Sequence, residues 1–319
     1  MSDAPPRTAR HLLRLADLDA GSVSLLVDVA QELSERPLEE AGRLAGRTVV
    51  LFFNKPSTRT RVSFATAVVR LGGTPIAVGP GELQLGRGET IEDTARVISG
   101  YASAFVIRTY SDQEVRRYAA ASSIPVINAL TDGHHPCQAV GDLLTLRQLW
   151  GELDGHRLAY VGDGANVAHS LIEGCAATGV SIAVASPPGY APDPEVVEGA
   201  RAVAARSGTE VLITERPEEA VDGADCVYTD VWLSMGVPEG ERAARTRAFE
   251  SYRVTPELMA KAKPDCVFLH CLPAHRGEEV AAEVIDGPRS RVFQQAANRL
   301  PSAQAVLLCL ITGRLTAAG

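Results

Sequence analysis

The stretch that most constrains the fold is an apolar, β-branched run that passes within a few residues into a helix start. Residues 48–53 form this run, which indicates a buried strand over 47–53. Pro56 ends it, and Ser57 or Thr58 is a natural N-cap for a helix that extends from 58 to about 71. The pattern therefore predicts a strand that leads directly into a helix.

The predicted helix start also concentrates groups that bind anions. A helix N-terminus offers unpaired backbone N–H groups and the positive end of the helix dipole. Three hydroxyl residues and two arginines stand there, namely Ser57, Thr58, Thr60, Arg59 and Arg61. A guanidinium binds phosphate oxygens bidentately. The alternative is a well-capped helix with solvent-facing arginines, but five such residues in a row favour a phosphate site.

Strands and helices alternate along most of the chain, which predicts an α/β fold with parallel sheets covered on both faces. In the first half the predicted strands are 47–53, 74–78, 104–109 and 124–129. In the second half they lie near 157–162, 181–186, 209–214, 225–230 and 265–271. We therefore expect two parallel-sheet α/β domains, 1–150 and 151–300, joined by interdomain helices and with a cleft between them.

Two later segments carry predictions of their own. Residues 236–254 are charged and polar, which indicates an exposed, mobile loop. Apolar residues at helical spacing between 301 and 315 predict a final helix that begins at Pro301, because proline is favoured in a first helical turn.

The composition narrows the class of partner. The net charge is −8 and no basic tail is present, which argues against nucleic acid, whereas a basic site in an acidic body suits an anionic small molecule. Six cysteines occur without a CxxC motif, so a reducing cytoplasm is expected. No apolar run approaches the ~18 residues that a membrane span needs.

Several polar residues stand near the ends of predicted strands, where open α/β sheets bind ligands. They are Arg108, His135, Gln138, Asn166, Asp230 and Cys271. A histidine and a glutamine at a helix start can donate to a carbonyl oxygen and accept from an amide. Asp230 could cap a helix or pair with an ammonium group. Cys271 could be a nucleophile, a weak general base or an orienting thiol, and Leu272–Pro273 is a candidate cis bond.

Other motifs allow alternatives that the sequence disfavours. His134 and His135 are adjacent, but no third metal ligand follows at suitable spacing. Cys137 fits helix packing better than nucleophilic catalysis. The turn at 161–167 has a partial dinucleotide fingerprint that lacks its third glycine, and no acidic residue closes a strand about 20 residues later. A nucleotide-dependent dehydrogenase is therefore disfavoured.

Taken together, these motifs resemble the signature set of the aspartate/ornithine carbamoyltransferases. The matching segments are S-T-R-T-R at 57–61, H-P-C-Q at 135–138 and H-C-L-P at 270–273. Residues 84–89 and 230–236 resemble the ornithine-using members in particular. The resemblance implies a first domain for carbamoyl phosphate, a second for the amino acid, and a terminal helix, 301–319, that packs back on the first domain. It also implies a homotrimer, or a multiple of trimers, with active sites at subunit interfaces.

The resemblance assigns roles in the carbamoyl-phosphate site. The residues that hold the phosphate are Ser57, Thr58, Arg59 and Thr60, with Arg108. The groups that polarise the carbamoyl oxygen are Arg108, His135 and the Thr60 hydroxyl. Gln138 and the Leu272 carbonyl hold the carbamoyl amide, and Arg299 completes the pocket. Gln84 reaches the phosphate of a neighbouring subunit.

For the second substrate, the resemblance implies four ligands of the amino-acid end of L-ornithine, namely Asn166, Asp230, Ser234 and Met235. Cys271 and Asp230 orient its δ-amine. The implied reaction gives citrulline, a step of arginine biosynthesis. It requires polarisation of a carbonyl and charge neutralisation on phosphate, and it calls for no metal or organic cofactor.

The chain also departs from the family pattern. Gly141 stands where the family usually has alanine, Ala297 replaces an acidic residue, and Pro301 and Ser302 replace a histidine-containing helix opening. These departures leave open a carbamoyltransferase for another amine, such as putrescine or an acylated ornithine. A non-catalytic relative is disfavoured, because all the residues that carry the proposed chemistry are present.

Overall fold

The computed structural model describes residues 10–233 and 238–318. The chain forms two compact units. The first comprises the described residues up to Leu149 together with those from Asn298 onwards, and the second comprises Trp150–Ala297. The chain passes between the units within two helices, Pro136–Trp150 and Val292–Ile311.

The first unit is built on a four-stranded parallel sheet. Its strands are β1 (Thr48–Phe53), β2 (Thr74–Val78), β3 (Ala104–Arg108) and β4 (Val126–Leu130), in the spatial order β2-β1-β3-β4. Its helices are α1 (Ala20–Glu35), α2 (Thr58–Arg70), α3 (Ile91–Ser99), α4 (Asp112–Ala121) and α5 (Pro136–Trp150). Short 3-10 helices occur at Leu15–Asp17 and Gln84–Arg87. The predicted first-half strands are confirmed, with ends shifted by one or two residues.

Local sequence explains where these helices begin. The side chain of Ser57 accepts a hydrogen bond from the Thr60 backbone N–H, and Thr90 and Ser111 cap α3 and α4 in the same way. Each cap satisfies one backbone donor that the first helical turn leaves unpaired. Central strand β3 is buried along its whole length. Its sequence before Arg108 is therefore a continuous apolar run without the alternation of apolar and polar residues that a half-exposed strand shows.

The second unit contains a five-stranded parallel sheet. Its strands are β5 (Arg157–Val161), β6 (Ser181–Ala185), β7 (Val211–Thr214), β8 (Cys226–Thr229) and β9 (Val267–His270), in the order β7-β6-β5-β8-β9. Its helices are α6 (Asn166–Thr178), α7 (Pro194–Ser207), α8 (Pro217–Val221), α9 (Glu239–Phe249), α10 (Pro256–Met259) and α11 (Ala282–Ile285), with a 3-10 helix at Glu250–Tyr252. The two parallel sheets with flanking helices confirm the predicted fold class.

The loop predicted at 236–254 is wrong for its described part, which forms α9 and a 3-10 helix. Glutamate, arginine and alanine are good helix formers, so a charged composition indicated exposure but not conformation. Phe249 at the end of α9 is fully buried and packs against Trp232 and Tyr252. This packing fixes the helix against the second unit.

The last helix also begins earlier than predicted. Helix α12 spans Val292–Ile311, with Pro301 in its interior. Proline removes one helical hydrogen bond, and the apolar face from Ala303 to Leu310 compensates by complete burial. The hydroxyl of Ser302 donates to the Asn298 carbonyl at 2.7 Å and satisfies an acceptor beside the interruption. No helix in the described ranges combines the length and apolar character that a membrane crossing requires.

Candidate active site

In the first unit, adjacent strands bring the predicted phosphate-binding residues to one edge of the sheet. Phe53 at the end of β1 pairs with Arg108 at the end of β3, and Arg108 pairs with Leu130 at the end of β4. Because these strands are parallel, the segments that follow them emerge at the same edge. Those segments carry the α2 start, the Arg108 side chain and the turn that contains His135.

The N-terminus of α2 is arranged as an anion site. The Ser57 hydroxyl caps the helix by accepting from the Thr60 N–H at 3.3 Å. Thr58 and Arg59 in the first turn are exposed, whereas Thr60 is buried. The first turn therefore presents backbone donors, hydroxyls and a guanidinium to solvent, which is the combination that binds a phosphate group.

Arg299 connects α12 to two other elements of this unit. Its side chain is buried, its Nη1 donates to the Gln138 Oε1, and its Nη2 donates to the Thr60 Oγ1 at 3.4 Å. The structure thus brings together residues from α2, α5 and α12 that lie up to 239 positions apart in the sequence. A buried guanidinium needs partners of this kind because its desolvation is costly.

The side-chain amide of Gln138 has a fixed orientation. Its Nε2 donates to the Asp142 Oδ1 at 2.7 Å, one turn further along α5. A carboxylate only accepts hydrogen bonds and a guanidinium only donates them, so the Gln138 NH₂ group has to face Asp142 and the Gln138 oxygen has to face Arg299. Gln138 consequently presents its carbonyl oxygen toward Arg299, and an amide carbonyl can accept a second hydrogen bond from a ligand.

His135 stands at the start of α5, where its carbonyl accepts from the Gln138 N–H at 3.0 Å. Burial, together with the nearby positive charges of Arg299 and Arg108, holds the imidazole pKa well below its ordinary value. The ring is therefore neutral near neutral pH and donates a hydrogen bond through one nitrogen only. Cys137 beside it is buried with a thiol pKa of about 12, which fits packing rather than nucleophilic chemistry.

In the second unit, strand register places Asp230 beside Cys271. Thr229 at the end of β8 pairs with His270 at the end of β9, and the next residue of each strand is Asp230 and Cys271 respectively. The Cys271 thiol donates to the Asp230 Oδ1 at 2.9 Å, and the same oxygen accepts from the Val231 N–H at 2.7 Å. Both side chains are half-buried, so a carboxylate and a thiol are available together to a ligand.

A buried histidine–glutamate pair supports the Cys271 turn. The His270 Nε2 and the Glu279 Oε1 lie 3.0 Å apart, and the His270 Nδ1 accepts from the Leu272 N–H at 2.9 Å. These contacts fix the tautomer, with the proton on Nε2. The Leu272–Pro273 bond, which the sequence analysis named as a candidate cis bond, is cis, and Leu272 has a positive φ of 56°. Sequence reasoning missed Glu279, because nothing in the local pattern marks its buried partner.

The β5–α6 turn carries Asn166 at the first position of α6, half-buried. Gly164 in this turn is required by close packing, because a Cβ there would lie 2.6 Å from the Tyr190 carbonyl oxygen. Asp163 forms an ion pair with Arg245 of α9, which also donates to the Trp232 carbonyl. Burial raises the pKa of the Asp163 carboxyl, and the Arg245 charge opposes that rise.

One further predicted residue is not among the contacts described above. Gln84 begins the short helix Gln84–Arg87 and its side chain is exposed. Ser234 and Met235 lie outside the described residues. Sequence reasoning also missed Lys55, which is buried, pairs with Asp132 and lies 4.4 Å from the Tyr110 ring centre. Its position two residues before the S-T-R-T-R motif at 57–61 is the sequence feature that could have identified it as a site residue.

Two groups of the described residues bring three metal-ligating atoms within 4.8 Å of one another. They are Asp230 with His270 and Cys271, and His275 with Glu278 and Glu279. The adjacent histidines His134 and His135 belong to neither group. In the first group, both ring nitrogens of His270 already have protein partners, so this ring has no vacant donor for a metal.

Comparison with known proteins places both units in one family. Residues 10–148 match the family model "Aspartate/ornithine carbamoyltransferase, carbamoyl-P binding domain", and residues 154–310 match "Aspartate/ornithine carbamoyltransferase, Asp/Orn binding domain". An ornithine carbamoyltransferase from Parafrankia sp. (strain EAN1pec) is 51% identical over 307 residues, which cover 95% of this chain and 96% of the relative.

Solved structures agree with this relationship. The ornithine carbamoyltransferase from Pyrococcus furiosus has a TM-score of 0.90 and 44% identity, with 95% of this chain and 97% of that chain covered. The ornithine carbamoyltransferase from Gloeobacter violaceus has a TM-score of 0.87 and 46% identity, with 96% and 99% covered. Similarity over nearly the full length of both chains, at 44% and 46% identity, indicates a shared fold and a shared family.

Proposed function

The chain belongs to the aspartate/ornithine carbamoyltransferase family, and we propose that it transfers the carbamoyl group of carbamoyl phosphate to the δ-amine of L-ornithine. The products are L-citrulline and phosphate, as in arginine biosynthesis. The observation that carries the proposal is the grouping of Thr60, Gln138 and Arg299 at the carboxyl edge of the first sheet. Relatives named ornithine carbamoyltransferase, about half identical to this chain over nearly its full length, support ornithine as the acceptor.

The first unit is the proposed carbamoyl-phosphate domain. The N–H groups and hydroxyls of the α2 start, with Arg59, bind the phosphate and stabilise its charge as it leaves. Arg108, the neutral His135 imidazole and the Thr60 hydroxyl point partial positive charge at the carbamoyl oxygen. The Gln138 carbonyl accepts from the carbamoyl NH₂, and Arg299 holds that carbonyl in place.

The second unit is the proposed ornithine domain. Asn166 and Asp230, with Ser234 and Met235 of the following loop, bind the amino-acid end of ornithine. The δ-amine has to lose a proton before it attacks, because only the neutral amine is a nucleophile. The Asp230–Cys271 pair orients this amine, and the Leu272 carbonyl contributes an acceptor for the carbamoyl amide.

A homotrimer, or a multiple of trimers, is the proposed assembly. The first unit exposes a set of large apolar side chains on α2, on edge strand β2 and on or just after α3, namely Val62, Val69, Ile76, Val97 and Tyr101. Exposed apolar residues on an unpaired sheet edge and its flanking helices mark an interaction surface. Gln84, which is exposed in the same unit, would contribute to the phosphate site of a neighbouring subunit.

We also propose that the protein works in the cytoplasm. All six cysteines are free thiols and five of them are buried, as expected in a reducing compartment. The arrangement of the site calls for no metal or organic cofactor in the transfer step. Carbonyl polarisation and phosphate stabilisation are both supplied by side chains and by the helix start.

The test is product formation from carbamoyl phosphate with a panel of amines: L-ornithine, putrescine, N-acetylornithine, L-lysine and L-aspartate. We expect citrulline to form with a kcat/KM far above that for any other amine. Preference for putrescine or an acylated ornithine would contradict the ornithine assignment while keeping the carbamoyltransferase assignment. Absence of product with every amine would contradict catalysis and favour a non-catalytic member of the family.

A further inference from the structure

One carboxylate outside the proposed substrate ligands makes three contacts with the turn that carries His135. Asp112 is the first residue of α4, and its carboxylate accepts from the Thr131 hydroxyl at 2.9 Å, from the Gly133 N–H at 2.9 Å and from the His134 Nδ1 at 2.7 Å. It thus binds three positions within the four residues that precede His135.

The turn is built around this carboxylate. Gly133 has no side chain, and a Cβ there would lie 2.5 Å from the Asp112 Oδ2. Thr131 closes the turn from inside, because its backbone N–H donates to the His134 carbonyl at 2.8 Å. Burial raises the Asp112 pKa, but the hydrogen bonds from His134 and Thr131 outweigh it, so the pKa is lowered and the group stays ionised.

We infer that Asp112 is a positioning residue for catalysis, which holds the 131–134 turn so that His135 meets the carbamoyl oxygen. This inference rests on the proposed function. Catalytic donors need to be held within a fraction of an ångström of the productive geometry by a supporting set of hydrogen bonds. The phosphate is bound elsewhere, at the α2 start, so loss of Asp112 should slow the chemical step and leave phosphate binding unchanged.

Asp112→Asn tests this role. An amide has only one acceptor oxygen, so its NH₂ has to face one of the three donors and the turn is released. We expect kcat to fall about tenfold to a hundredfold, while the KM for carbamoyl phosphate and the Kd for inorganic phosphate stay within about twofold of wild type. The NMR-monitored pKa of the His135 imidazole should rise toward its ordinary value as the ring becomes hydrated.

The matched control is Asp93→Asn. Asp93 is also an acidic residue in a first helical turn, and its side chain is 58% exposed and pairs with Arg96 of the same helix at 3.0 Å. It controls for loss of a charge at a helix N-terminus, where a negative charge is itself stabilising. We expect wild-type kcat for this variant.

A threonine pair keeps the test valid if Asp112→Asn does not fold. Thr131→Val removes the hydroxyl that donates to Asp112 and should lower kcat, whereas Thr131→Ser keeps it and should restore kcat. If the wild type is active, the inference would be overturned by an Asp112→Asn variant with unchanged kcat or with an unchanged His135 titration. Equal loss of kcat and phosphate affinity would overturn it too, because that result indicates general damage. A wild type without citrulline formation contradicts the proposed function instead, and the His135 titration still decides the positioning role.

Discussion

Gly141→Ala should crowd Arg299 slightly and still leave a working site, because alanine is the residue that the family usually has at this position. Gly141 lies on α5, one turn beyond Gln138 on the same helix face. An added Cβ would lie 3.2 Å from the Arg299 Cδ, closer than the ~3.5–4.0 Å of an unstrained carbon–carbon contact. The new methyl group therefore pushes Arg299 away from α5, which stretches its hydrogen bond to Gln138 on that helix.

The expected magnitude follows from how far the bond is stretched. A hydrogen bond to a charged group contributes about 1.5–3 kcal/mol when it is lost entirely. The contact of 3.2 Å requires only a small displacement of the Arg299 side chain, so the bond persists and kcat/KM should stay within about threefold of wild type. Alanine favours a helix over glycine by about 0.5–1 kcal/mol, which offsets part of the crowding cost and keeps the melting temperature near that of the wild type. The assay is citrulline formation at varied carbamoyl phosphate, together with thermal unfolding.

Gly199→Ala is the matched control, because Gly199 lies within α7 and an added Cβ there meets no atom within 4 Å. It should show a similar gain in helix stability and wild-type kinetics. If kcat/KM falls tenfold or more in Gly141→Ala while Gly199→Ala behaves as expected, the reasoning that Arg299 keeps its bond to Gln138 after a small displacement is refuted.

Three further outcomes are expected. Arg59→Ala should weaken phosphate binding about tenfold or more by calorimetry, whereas Arg61→Ala serves as a neighbouring control; equal affinity in both would contradict a specific role. Asp230→Asn should lower kcat/KM for ornithine on the order of a hundredfold and leave phosphate affinity unchanged, and a joint loss of both would argue against it. Glu279→Gln should cost about 1–3 kcal/mol of unfolding free energy at neutral pH. Burial raises the Glu279 pKa, but hydrogen bonds from His270 and a backbone N–H lower it overall. The stability that Glu279 contributes is therefore present above the ordinary pKa of a glutamate and is lost as the pH falls through the folded pKa. Denaturation at several pH values should show a smaller loss of stability at acidic pH in the variant than in the wild type, and parallel curves would refute this.

Local pattern was sufficient for most of the fold. The strand runs, the cap at Ser57 and the alternation of strands and helices were predicted from residues close together in the chain, and each is confirmed within one or two residues. The family was equally accessible, because its motifs are short and contiguous. The assignment of individual roles to the site residues stays a prediction until the variants are measured.

The two wrong predictions have different causes. Charge at 239–249 indicated exposure, yet a helix forms there, and its Phe249 and Arg245 bind the body of the second unit. Pro301 indicated a helix start, yet α12 continues through it because its apolar face is buried. At Pro301 the free energy of tertiary packing exceeds the local preference, whereas at 239–249 the glutamate, arginine and alanine residues themselves favour a helix.

The sequence by itself determined the strands, most of the longer helices, the cap at Ser57 and the family motifs, because those depend on neighbouring residues. Only the tertiary structure decided that Arg299 reaches Gln138 and Thr60, that Asp112 holds the turn before His135, and that Glu279 pairs with His270. These contacts join distant positions, and each forms because a buried charge or polar group requires a partner that local sequence cannot identify.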